Sequence, residues 1–125
     1  MIVGIGTDLV DVARIRAFRD RWGARGLRRL FHDHEIDYCA SLADPAPSLA
    51  ARFAAKEAFF KAVGTGWGAG GAWTDVAVRR GPTGDPELVL TGRAADTART
   101  VGAEHLHVSL THTHDTAAAF VILEG

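Results

Sequence analysis

The stretch Arg52–Ala62, RFAAKEAFFKA, constrains the fold more than any other part of this chain. At roughly 100° per residue, Phe53 and Phe60 stack on one side of a helix. Ala54, Ala55, Ala58 and Ala62 cover the next side, and Phe59 and Val63 complete the circle. A helix that is apolar nearly all round has to be enclosed, so the remaining segments must wrap it on several sides. A chain of 125 residues, 47% of them apolar, fits one compact domain built that way. The same stretch nevertheless holds Glu57 and both of the chain's two lysines, Lys56 and Lys61, in a sequence with twelve arginines. A carboxylate on an enclosed helix needs a partner, because an isolated buried charge is costly. Glu57 and Lys61 are four residues apart, so an exposed ion pair worth about 0.3–0.5 kcal/mol is one reading; a functional site is the other.

The flanking segments supply the wrapping. IVGIG (2–6) reads as a short buried strand ended by Thr7 and Asp8, either of which could cap a helix. Apolar residues at 9, 10, 12, 15 and 18 predict a helix over 9–20, with arginines largely on its other side. RWGARG breaks that pattern, LRRLF resumes a short helix, and HDHEIDYCASLA predicts another starting near Asp33. DPAPS (44–48) reads as a loop with Ser48 able to cap the enclosed helix, which runs over about 49–63 into the glycine-rich GTGWGAGGAW. TDVAVRR and PELVLTG flank the turn GPTGD as a hairpin. RAADTARTVGA predicts a helix stopped by Gly102, and HLHVSLTHT and TAAAFVILE are two last strands joined around residues 113–115. The order β-α-α-α-ββ-α-ββ predicts one α+β domain, residues 1–125, with a mostly antiparallel sheet.

Net charge is −1, so nothing global points to nucleic acid or membrane. The distribution is uneven: seven arginines and a single acid, Asp20, fall between Arg14 and Arg29. The single cysteine, Cys39, excludes an internal disulfide and a CxxC metal site, and suits a small buried filler. The N-terminus has no basic segment and reaches an acid at position 8, unlike a signal peptide, and no apolar run approaches membrane-spanning length. These features predict a cytoplasmic enzyme or binding domain.

Asp8, at the end of an apolar strand, and Glu57, on the enclosed helix, could share one divalent ion. Two carboxylates with open positions suit Mg²⁺, which keeps waters and takes further ligands from substrate phosphates. Lys61, one turn from Glu57, would reach the same phosphates. Such a set serves attack on phosphorus. A helix cap for Asp8 remains the plainer reading.

GIGTDLVDVARI (4–15) and RFAAKEAFFKAVGTG (52–66) resemble the two signature motifs of the 4′-phosphopantetheinyl transferases. HVSLTHTHDTAAAFVI (107–122) and FHDHEIDYC (31–39) resemble the closing hairpin and intermediate helix of the short bacterial type, the holo-[acyl-carrier-protein] synthases. The resemblance runs from end to end. It implies that fold, with a long central helix, and Mg-dependent transfer of the phosphopantetheine arm of coenzyme A to a serine of an acyl carrier protein, with adenosine 3′,5′-bisphosphate as the other product. It also implies a place in lipid metabolism such as fatty acid biosynthesis, although the sequence does not say which carrier serves. By resemblance, Asp8 and Glu57 bind Mg²⁺, Lys61 neutralises or protonates the leaving phosphate, and the base is Glu57 or a metal-bound water. Arg52, Lys56, Gly64, Thr65 and Gly66 match positions that touch coenzyme A phosphates or shape the loop over them. His107, Ser109, Thr111 and His112 match the strand lining the nucleotide pocket. The family's short members are homotrimers with active sites between subunits, and Arg14 and Arg21 are the arginines expected to dock an acidic carrier protein.

Alternatives exist for several of these features. A metal-dependent phosphodiesterase could use the same acids, though the chain lacks a nucleic-acid footprint, and a trimeric adaptor could use the arginine helix. His105, His107, His112 and His114 crowd one hairpin, where a zinc site is conceivable but lacks an obvious third ligand. Trp67 and Trp73 could stack on adenine, or pack at a loop or subunit interface.

Overall fold

The computed structural model describes residues 1–66 and 68–125. It contains β1 (Ile2–Asp11), α1 (Val12–Leu30), α2 (Asp33–Ala40), α3 (Ala46–Val63), a 3₁₀ turn (Trp73–Asp75), β2 (Val76–Arg80), β3 (Pro86–Leu90), α4 (Gly92–Thr100), β4 (His105–His112) and β5 (Thr116–Glu124). The predicted order of elements is the observed one. β1, β5 and β4 form an antiparallel sheet in that spatial order, and β2 and β3 form a separate antiparallel hairpin.

α3 packs across β1, β5 and β4, and all but two of its residues, Glu57 and Lys61, are buried. It rests on Ala117, Ala119, Val121 and Leu123 of β5, which alternate with partly exposed neighbours. Its approach to β1 is closest at two glycines. A Cβ at Gly4 would lie 2.3 Å from the Ala62 carbonyl oxygen, and one at Gly6 would lie 1.8 Å from that of Ala58. No side chain fits there, so the strand lies directly on the helix backbone.

Three boundaries differ from the sequence expectation. β1 continues to Asp11, because Leu9, Val10 and Asp11 pair with Ala118, Ala117 and Thr116 of β5. Asp8 therefore lies within the strand, not at its end, and does not cap a helix. Helix α1 starts at Val12 and joins the two predicted helices across a kink at Gly23, whose φ of 59° only glycine adopts readily. α3 starts at Ala46 with Pro47 in its first turn, so Ser48 is buried inside the helix instead of capping it.

Candidate active site at the β1–α3 contact

Alternation along β1 carries Gly4, Gly6, Asp8 and Val10 to the face that meets α3. Gly4 sits against Ala62 and Gly6 against Ala58, so the strand runs antiparallel to the helix at about one helical turn per two strand residues. Asp8 is two residues further along the same strand face, and its carboxylate reaches Lys61 and acts on Glu57. The convergence expected from the sequence is thus produced by two glycines that let the strand settle on the helix.

Asp8 is 9% exposed. Its Oδ1 accepts a hydrogen bond from Lys61 Nζ at 2.8 Å, and the same ammonium donates to the Thr7 carbonyl at 3.0 Å. Its Oδ2 is buried with no hydrogen-bond partner among the described residues. Such an orphaned carboxylate oxygen is uncommon; a bound cation would satisfy it, as would a proton held by the neighbouring Glu57 carboxyl. Glu57 is half-buried. Burial first, and the Asp8 charge second, push its carboxyl above the usual range, while Arg14 and Lys61 pull it down. Arg14 reaches the site from α1, its guanidinium lying 5.4 Å from the centre of the Phe53 ring. Asp8, Glu57, Lys61 and Arg14 therefore form one electrostatic cluster.

The other predicted residues lie elsewhere. Lys56 does not face this cluster and, being fully buried, is not placed to touch a phosphate in this chain; its contact with the Trp73 carbonyl fits the other role expected of it, shaping the glycine-rich loop. It is 0% exposed, and its ammonium donates to Glu35 Oε1 at 2.9 Å, to the Trp73 carbonyl at 3.3 Å and to the Val76 carbonyl. Burial drives its pKa down and Glu35 opposes that. Arg52, one turn earlier on the same side of α3, is buried with its guanidinium 4.8 Å from the centre of the Tyr38 ring; Arg80 covers the same ring and donates to the Tyr38 hydroxyl. Arg52 Nη1 donates to the Ser48 carbonyl at 3.5 Å, and its Nε has no hydrogen-bond partner among the described residues.

Gly64 ends α3, and Gly64, Thr65 and Gly66 are exposed. His107, Ser109 and Thr111 lie on the exposed face of β4, opposite the face that packs toward α3, and exposed His112 ends the strand. His107 Nε2 lies 3.1 Å from Glu124 Oε1, and the contact lowers the Glu124 carboxyl. Within one chain these residues do not join the Asp8 cluster. Among the described residues no group of three or more His, Cys, Asp or Glu is arranged to hold a metal. Arg21 is exposed, with its guanidinium 4.9 Å from the centre of the Trp22 ring. Trp73 packs against Phe53 and Phe60 at 4.9 and 5.6 Å between ring centres, and Trp67 lies outside the described residues. Cys39 is buried, and burial pushes its thiol up to about 11.

The sequence alone assigned no partner to Glu35. A usable signal was present: Lys56 adjoins Glu57 on an enclosed helix, so its ammonium also required a buried acid. Glu35 is the acid of α2 that shares a face with Cys39, one turn on.

Residues 4–121 match the model of the 4′-phosphopantetheinyl transferase superfamily. The chain is 49% identical, over the whole of both sequences, to a holo-[acyl-carrier-protein] synthase of Nitratidesulfovibrio vulgaris. Its structure is similar to that of the holo-[acyl-carrier-protein] synthase of Neisseria meningitidis, with a TM-score of 0.90, 33% identity and complete coverage of both chains. It is also similar to a Bacillus anthracis holo-(acyl-carrier-protein) synthase in complex with CoA (3′,5′-ADP), with a TM-score of 0.80, 33% identity, and coverage of 98% of this chain and 96% of that one. Together with the α+β architecture and the Asp8–Glu57–Lys61 cluster, these likenesses place the chain in the 4′-phosphopantetheinyl transferase superfamily, among the holo-[acyl-carrier-protein] synthases.

Proposed function

We propose that this enzyme moves the 4′-phosphopantetheine arm of coenzyme A onto a serine of an apo acyl carrier protein, releasing adenosine 3′,5′-bisphosphate, with Mg²⁺ held by Asp8 and Glu57. The observation that carries this reading is the buried Asp8 Oδ2 without a partner, next to Glu57 and one atom away from an oxygen already paired with Lys61. Two hard oxygen donors fit Mg²⁺, whose remaining ligands would be waters and phosphate oxygens. When bound, the ion would offset the negative charge of the pyrophosphate and so ease attack on it.

The chain's own residues supply the rest. Lys61 Nζ is fixed by Asp8 Oδ1 and the Thr7 carbonyl. It still has a free donor position with which to neutralise or protonate the departing phosphate. The serine hydroxyl must lose its proton as its oxygen attacks phosphorus, and Glu57 would take it directly or through a water at the metal site. The exposed residues Gly64, Thr65 and Gly66 suit a phosphate, whereas Arg52, buried over the Tyr38 ring and donating to the Ser48 carbonyl, suits the other expected role of shaping the site. Arg14 and Arg21 on α1 would meet the acidic carrier.

A homotrimer with active sites between subunits fits two features. Val3, Ile5 and Leu9 of β1 and Phe120 of β5 expose a contiguous apolar face, with Leu9 72% exposed. His107, Ser109 and Thr111 lie on the sheet face opposite Asp8, so a nucleotide pocket that uses them would be completed by a second copy; His112, paired with Ala117, is on the Asp8 face at the strand end. Among the described residues no helix is long and apolar enough to cross a membrane, and a near-neutral chain with one cysteine suits a cytoplasmic enzyme.

Mass spectrometry of an apo acyl carrier protein, incubated with the enzyme, coenzyme A and Mg²⁺, tests the reading. The carrier's serine should gain the phosphopantetheine mass, with adenosine 3′,5′-bisphosphate formed only when carrier is present. An unmodified carrier overturns the proposal, and carrier-independent release of the nucleotide would favour a hydrolase.

A further inference from the structure

α3 presents a physical problem of orientation. Its buried surface includes Ala50, Ala51, Ala54, Ala55, Ala58 and Ala62, spread around several sides of the helix. Most helices are fixed in roll by one apolar stripe facing the core. α3 has apolar residues nearly all round, and alanines on more than one face would suit the glycines of β1 equally well in size. Burial alone therefore does not determine which way Glu57 points.

One directional feature of α3 does. Lys56 Nζ donates to Glu35 Oε1, the Trp73 carbonyl and the Val76 carbonyl, which come from α2, the 3₁₀ turn and β2. Glu35, 1% exposed, also accepts from the His32 backbone N–H at 3.0 Å and from that of Val78 at 3.1 Å. This network joins α3 to three other segments through bonds that tolerate little rotation. Lys56 and Glu57 are adjacent, so their side chains leave the helix about 100° apart. Fixing the first toward α2 and β2 directs the second toward Asp8.

We propose that Glu35 and Lys56 are positioning residues: their buried pair keys the roll of α3 and thereby aligns Glu57 with Asp8. The inference rests on the reading of Asp8 and Glu57 as the reacting site. Its general basis is that replacing both members of a buried ion pair by apolar side chains is often neutral or stabilising, whereas removing one member is costly. Four backbone groups also depend on this pair, so alignment is separated from stability by reading both well below the Tm of each variant.

The test compares wild-type protein with Glu35→Leu/Lys56→Met and with the milder Glu35→Gln, which keeps the side-chain shape but sets an amide donor among donors. Three quantities are read: Tm, Mn²⁺ affinity by electron paramagnetic resonance without substrates, and kcat with the KM for each substrate. The double variant also strips the His32 and Val78 N–H groups and the Trp73 and Val76 carbonyls of their partners, so its Tm should fall; at a temperature well below that Tm, where it is folded, it should bind Mn²⁺ at least fivefold more weakly and lose at least tenfold in kcat, with both KM values within threefold. Glu35→Gln should move the same two quantities in the same direction by at least twofold. Wild-type Mn²⁺ affinity and kcat in either folded variant would overturn the proposal, as would a fall in activity that merely tracks Tm. A wild-type protein that neither binds Mn²⁺ nor transfers the arm would instead refute the proposed function, so the two failures are distinguishable.

Discussion

Gly6→Ala should cripple the enzyme although it adds only one methyl group and removes no charged or polar side chain. The new Cβ would lie 1.8 Å from the Ala58 carbonyl oxygen, 2.8 Å from its carbonyl carbon and 2.9 Å from the Ala62 nitrogen. All three obstructing atoms are backbone, so no rotamer change relieves the overlap. To reach an ordinary contact of 3.4 Å, β1 and α3 must separate locally by about 1.6 Å, and close-packed interiors yield to this only with strain of about 1–3 kcal/mol. Asp8 is two residues along the same strand face, so most of that displacement reaches its carboxylate. A misplacement of about 1 Å at a reacting site costs on the order of 10²-fold in rate. Gly4→Ala has a milder overlap, 2.3 Å to the Ala62 carbonyl oxygen, and lies farther from Asp8, so it should lose less activity. Steady-state transfer assays on both variants, with circular dichroism to confirm folding, decide the matter. A Gly6→Ala protein within threefold of wild-type kcat, or a Gly4→Ala protein more impaired than Gly6→Ala, would refute the reasoning.

Other consequences can be checked more simply. Arg21→Glu should raise the KM for the carrier protein several-fold, less so at high salt, and leave the KM for coenzyme A unchanged; Arg21 is the cleaner probe because Arg14 also acts on Glu57. The Glu57 carboxyl is held above the usual range in the folded protein, so its contribution to stability is full below the ordinary carboxylate pKa and is lost as pH rises through the raised one. Mg²⁺ binds the carboxylate form, so the rise in Tm on adding Mg²⁺ should grow with pH across that interval and disappear in Asp8→Asn, as thermal melts at pH 5 and pH 8 (about three units apart) would show. Cys39, buried with its thiol raised to about 11, should react with a thiol reagent at pH 8 only after denaturation; rapid labelling of the native protein would contradict its placement.

Some of this was legible in the residues and some was not. The GPTGD turn, the stop at Gly102 and the enclosed character of α3 are local properties, and each appears in the fold where its chemistry predicts. The C-terminal half of β1 was not legible. Leu9, Val10, Val12 and Ile15 match a helical period, but pairing of residues 9–11 with β5 outweighs that pattern. The convergence of Asp8 with Glu57 was inferred from residue type; its physical cause, the strand settling on α3 through Gly4 and Gly6, emerges only from three-dimensional packing. Lys56 and Lys61 look equivalent along the sequence, yet one is sealed against Glu35 and the other is exposed beside Asp8. Which lysine faces solvent depends on the roll of the helix, and an all-apolar stretch does not encode that by pattern alone.

The most direct test of the Asp8–Glu57 site is a Mn²⁺ titration followed by electron paramagnetic resonance, with and without coenzyme A, on wild-type, Asp8→Asn and Glu57→Gln proteins. The account predicts one bound ion per active site, tighter binding when coenzyme A supplies phosphate oxygens, and at least tenfold weaker binding in each variant. Equal Mn²⁺ affinity in all three proteins would contradict it.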